Sequence, residues 1–236
     1  MRLRDLVFGL GLALAAGGAL ADSFVFGGTQ DRPPARLVVG AVSIDHADRG
    51  NYRSDGAHTP SNLNYIAGTC FTGCQNVPFD VFRNFFVFDI SNLTAPVSAA
   101  TLSLNTGFVV GHNHYELYDV TGDLGVLRAG VGGLASFADL GSGDVYGARD
   151  YTPADTNLRL LIELTAAGVA DLNAAIDARH SFFAIGGAAT AVLAPIPEPS
   201  ILATMALGLA GLGWTSRRRR TAAKIRKDVS PVPEPA

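Results

Sequence analysis

Between residues 22 and 196 this 236-residue chain has no lysine at all. That stretch holds nine arginines against 17 acids, a net charge of −8, which excludes a basic face for nucleic acid. The usual catalytic signatures are missing too. There is no G-x-S-x-G, no H-E-x-x-H and no phosphate-binding P-loop. Gly141-Ser142-Gly143 runs on into Asp144-Val145 without forming a nucleophile elbow. Gly130-Val131-Gly132-Gly133 lacks the strand–turn–helix setting of a dinucleotide site. Cysteine is confined to Cys70 and Cys74, and charged residues make up only 17%. With 48% hydrophobic residues and a mean hydropathy of +0.24, the chain is too apolar to be disordered. No catalytic, cofactor or metal site is expected from motif alone.

What is present falls into separate pieces. Met1-Arg2-Leu3-Arg4 precedes an apolar run from Leu6 to Leu20 that ends Ala19-Leu20-Ala21. A positive start, a short apolar segment and an A-x-A exit form a secretory signal peptide, residues 1–21, with cleavage read from Ala19 and Ala21. The alternative is a buried N-terminal helix. At the other end Pro197-Glu198-Pro199 precedes an apolar run, Ile201 to Trp214, and then Arg217, Arg218, Arg219 and Arg220. Fourteen helical residues span about 21 Å, short of the ~30 Å hydrocarbon core. Seven cations and no acid lie within 217–227, however, which is the pattern of a stop-transfer signal with its basic side cytoplasmic. Snorkelling arginines stretch such a span at modest cost. Residues 196–220 therefore read as a transmembrane sorting segment and 221–236 as a disordered basic, proline-rich tail.

The triplet, apolar helix and arginine cluster, in that order, resemble the PEP-CTERM sorting signal of Gram-negative bacteria. The resemblance implies export, transient anchoring in the inner membrane with the ectodomain in the periplasm, and processing by an exosortase-type enzyme. Delivery to the cell surface or the exopolysaccharide matrix of a biofilm then follows. The chain departs from the usual pattern in continuing 16 residues past Arg220. It also repeats the triplet at Pro233-Glu234-Pro235, where no apolar segment follows.

Residues 22–195 read as an all-β ectodomain, an antiparallel jelly-roll-like β-sandwich with one short α-helix. Leu158, Leu160, Ile162 and Leu164 alternate with Arg159, Leu161 and Glu163, the period of a half-buried strand. Ala100, Leu102 and Leu104 alternate with polar residues in the same way. Asn84–Ile90 (NFFVFDI) is apolar on both faces, as in a central strand. Further strands are expected at Arg36–Ile44, Tyr115–Val120, Val145–Arg149 and Ser181–Gly186, divided by turn-forming clusters. Thr165 is the expected N-cap of the helix, with Val169, Leu172 and Ile176 on one face. Without repeated strand–helix alternation a parallel α/β sheet is not expected. The segments 48–68, Arg83–Asp89, Ser98–Leu102, Tyr115–Val120 and Phe183–Gly187 together look like ectodomains found on PEP-CTERM proteins, of jelly-roll or DNRLRE type. That resemblance implies a fold and no activity. The short stretch from Gly187 to Pro195 leaves room for a missing final strand and an exposed sheet edge.

Few side chains suggest chemistry. In an exported protein the close pair Cys70 and Cys74 points to a disulfide that pins one loop. A metal site there needs a partner such as His58. His112 and His114, at i and i+2, share a face in extended backbone, but two imidazoles do not make a metal site. Asp45, Asp48 and Asp55 are candidate calcium ligands, although their spacing is not that of an EF-hand and a solvated acidic loop is the alternative. Tyr52, Tyr65, Phe71 and Tyr115 serve either as a sugar-stacking platform or as core. Asn92-Leu93-Thr94 marks the turn after the 84–90 strand. The expected function is a non-catalytic structural or adhesive surface or matrix protein, not an enzyme; the alternative is a carbohydrate-binding module of the polysaccharide matrix, and behind it a hydrolase whose paired carboxylates meet only in the fold.

Overall fold

The computed structural model describes residues 22–28, 34–71 and 80–192. All of these belong to one unit of the chain, Met1–Val192; Leu193–Ala236 form a second, outside the described residues. Strand outweighs helix, 46% against 18%, and every strand pairing among the described residues is antiparallel.

The strands in chain order are β1 (Ser23–Gly27), β2 (Arg36–Val39), β3 (Val42–Arg53), β4 (Tyr65–Cys70), β5 (Asp80–Asp89) and β6 (Thr101–Asn105). They continue with β7 (Phe108–Val110), β8 (Asn113–Tyr118), β9 (Val145–Tyr151), β10 (Arg159–Glu163) and β11 (Phe182–Ala191). Their path runs β10-β6-β2-β3-β5-β11-β8-β9, with β4, β1 and β7 branching from β5. β3 joins the two layers. Its first residues, Val42 to Asp45, pair with β2, and from His46 onward it pairs with β5, with a register shift between His46 and Asp48. A bulge bends and twists a strand, which lets one strand serve both sheets. At the far ends of the path β9 and β10 come together. Thr165 donates its backbone N–H to the Tyr146 carbonyl at 2.7 Å, and a Cβ at Gly147 would lie 2.8 Å from the Glu163 carbonyl oxygen.

The main core lies between the layers. Leu37, Leu102, Leu104 and Ile162 from one layer meet Phe86, Phe88, Tyr115, Leu117 and Ile185 from the other. A second core covers the outer face of β5, where Phe85, Val87, Tyr52 and Ala184 pack beneath Leu127 and Leu140. That cover is supplied by two short helices, α1 (Leu124–Ala129) and α2 (Gly133–Asp139). Asp123 caps α1 by accepting from the Val126 N–H at 2.9 Å, and Gly130 ends it at a φ of 74°. The third helix, α3 (Ala166–Asp177), starts at the expected cap. Thr165 Oγ1 accepts from the Gly168 N–H, and Leu172 and Ile176 are buried.

The sandwich and its central β5 match the sequence reading, with four differences. Arg36–Ile44 is a hairpin, not one strand, because Gly40 takes a φ of 57° and turns the chain between Val39 and Val42. α1 and α2 join the one expected helix. Leu158 is 46% exposed and precedes the strand, while Leu160, Ile162 and Leu164 point inward as expected. The last strand is not missing: β11 runs to Ala191 and lies between β5 and β8, so it is no sheet edge.

Candidate functional site

A groove lies where α3 passes the segment after β8. α3 turns Leu172 and Ile176 inward, which leaves Ala174, Ala178 and Asp171 on its outer side. Opposite, Val120, Thr121, Gly122 and Leu124 form the other wall. Asp139 holds this wall in place, accepting from Thr121 Oγ1 at 2.7 Å and from the Gly122 N–H at 3.1 Å. The floor is Tyr146 of β9 and Phe182, Phe183 and Ala184 of β11. The groove measures about 520 Å³, within the range of small-molecule sites.

Its floor is stiff. The Tyr146 and Phe183 rings stack 5.9 Å apart at 10°, and both are buried. The Tyr146 hydroxyl donates to Asp171 Oδ2 at 2.8 Å. Burial, then the hydrogen bond to Asp171, pushes the phenol well above its ordinary range. Phe182 is only part-buried, with the Arg128 guanidinium 5.2 Å from its ring centre. Arg128 is itself paired, through Nε, with Asp48 at 2.8 Å. Just outside the groove, burial raises Asp119 and the neighbouring charges of Asp144, Asp139 and Asp171 raise it further. Asp171 is the one acid among the groove's lining residues.

The candidate residues read from sequence do not meet at this groove. Asp45 pairs with Arg36 at 2.5 Å, Asp48 with Arg128, and Asp55 with Arg53. The structure therefore gives each proposed calcium ligand its own arginine. Among the described residues no group of three or more His, Cys, Asp or Glu side chains is placed to hold a metal. His114 sits with Nδ1 2.6 Å from Asp150 and Nε2 3.6 Å from Glu116, while the His112 carbonyl accepts from Ser23 and Val192. His58 stacks on Tyr52 at 4.8 Å, its Nδ1 2.8 Å from the Asn51 carbonyl, beside a smaller cavity of about 180 Å³. Tyr52, Tyr65 and Tyr115 are fully buried, so they are core and present no face to a sugar. Cys70 is disulfide-bonded; Cys74 lies outside the described residues. No sequence reading picked out Tyr146, Asp171 or Phe182. The only available signal was Phe182-Phe183 at the start of a strand, beside a helix with an alanine-rich outer side.

The sequence features that handle the chain lie beyond the sandwich. A comparison with protein families matches residues 195–220 to the PEP-CTERM protein-sorting motif. The chain carries a PEP-CTERM sorting motif. Pro197, Glu198, Pro199 and Arg217–Arg220 all fall inside the match, and Pro233-Glu234-Pro235 falls outside it. No curated protein and no solved structure matches the chain. The PEP-CTERM motif supports an exported protein, anchored through its C-terminus in a membrane before an exosortase processes it. PEP-CTERM proteins are generally structural or surface proteins. The expected signal peptide with Ala19 and Ala21, the expected C-terminal helix and Arg217–Arg220 lie outside the described residues. Among the described residues no helix is long and apolar enough to cross a membrane.

Proposed function

We propose that this is a surface or extracellular-matrix protein whose ectodomain has a non-catalytic, structural or adhesive role. In this reading the N-terminal 21 residues direct secretion, and the helix at 201–214 with Arg217–Arg220 holds the ectodomain on the periplasmic side of the inner membrane. An exosortase-type enzyme then releases it. The PEP-CTERM match carries the reading, because it begins four residues after β11, the last strand of the sandwich. The sandwich is thus joined almost directly to the segment that sorts it. A hydrolase of paired-carboxylate type needs two acids facing one bond, and the groove is lined by Asp171 alone. Replacing Pro197-Glu198-Pro199 with three alanines in the native host tests the reading. The membrane-retained, unprocessed form should accumulate; unchanged release of processed protein contradicts it.

A second reading, carbohydrate binding, is favoured by one observation, the 520 Å³ groove whose lining sets the part-buried Phe182 ring beside polar side chains. Saccharide rings offer an apolar C–H face and a hydroxyl edge, and such a trough matches both.

A further inference from the structure

The groove is lined mostly by apolar residues and by one acid. Ala174 and Ala178 of α3, Leu124, Val120 and the part-buried face of Phe182 form smooth walls. Thr121 and His180 add polar side chains to the lining. Asp171 lines the groove from the exposed side of α3, and its carboxylate accepts a hydrogen bond from the Tyr146 hydroxyl. Asp119 and Asp144 lie close enough to act electrostatically on the same Tyr146 hydroxyl, so the negative field there is a sum over several acids. Arg128, beside the Phe182 ring, is committed to Asp48. A neutral ligand would gain no ion pair from the Asp171 carboxylate. A cation with an apolar body would satisfy both halves of the site.

We propose that this groove binds a saccharide unit carrying a protonated amine, with its C–H face against Phe182 and the alanines of α3 and its ammonium at Asp171. The proposal rests on the carbohydrate reading of the same groove and adds the ligand's charge. The hydroxyl edge of a sugar uses His180 and the free lone pairs of Thr121 Oγ1, whose proton goes to Asp139; a lysine side chain has no hydroxyl to offer them.

The test is calorimetric titration of the purified full chain in detergent with three probes: glucosamine oligomers, their N-acetylated counterparts, and oligolysine. Glucosamine oligomers should bind at least about tenfold more tightly than either of the others. Asp171→Asn keeps an acceptor for Tyr146 while removing the charge, and should abolish that preference. Ala174→Trp, on the exposed side of α3, should fill the groove and abolish binding with no loss of thermal stability. Equal binding of the neutral and amine-bearing sugars overturns the charge assignment and leaves the carbohydrate reading standing. Binding of oligolysine alone, or of none of the three, overturns both. Amino-sugar binding untouched by Asp171→Asn and Ala174→Trp places the ligand elsewhere and overturns the site.

Discussion

Phe85 and Phe86 are neighbours in β5, both fully buried, and they point into different cores. Phe86 fills the space between the two sheets, and Phe85 faces outward beneath the short helices α1 and α2. Phe86→Ala should cost about 3–5 kcal/mol of global stability in chemical denaturation. Phe85→Ala should also loosen its own layer, so that amides of α1 and α2 exchange faster than those of β6 and β10. Uniform exchange across both layers would show that the helical cover is no separate unit.

Gly147 marks the place where the two ends of the sheet path meet. A methyl group there would lie 2.8 Å from the Glu163 carbonyl oxygen and 2.9 Å from Ile162 Cγ2. Backbone cannot yield as a long side chain can, so Gly147→Ala should destabilise by about 1–3 kcal/mol. A thermal midpoint unchanged in that variant would mean that β9 and β10 stand further apart.

The fold was legible where the signal was local. The two-faced run Asn84–Ile90 announced a central strand, and Thr165 announced the start of α3. α1 and α2 have six and seven residues, too few turns for a helical period to emerge among glycines. Asp123 and Gly130, a cap at each end, were the only sequence marks of α1. The groove was illegible because its residues come from positions 120–124, 146, 171–178 and 182–184, which only the fold brings together. The sorting motif was readable because it is contiguous and works through composition and order.

Acid should weaken the fold. Burial, and then the charge of Arg49, holds the His46 imidazole below its ordinary range; burial does the same to His58. Each binds a proton more weakly folded than unfolded. Their contribution is therefore present above about pH 6.5 and lost as the pH falls through the lower folded values. His114 has the opposite sign. Its hydrogen bond with Asp150 raises it, so its support is present below about pH 6.5 and fades as the pH rises through the folded value. That pair is exposed and contributes little. Urea midpoints should drop from pH 6.5 to 5, and the double variant His46→Gln, His58→Gln should flatten the drop. A slope identical in that variant would assign the effect to other groups.

The bond at Cys70 should act locally. Closing the short loop to Cys74 would remove little chain entropy, so reduction should leave the global midpoint within about 1 kcal/mol while speeding proteolysis in the 71–80 segment. Two free thiols in oxidised, exported protein would rule out the pairing.

The most direct measurement is the intact mass of the protein recovered from the surface or medium of its native host. Secretion followed by exosortase processing predicts a chain that begins at Asp22 and ends near the Pro197-Glu198-Pro199 motif, without the apolar run at 201–214 or the arginines at 217–220. A released chain that retains residues 201–236 would contradict the account.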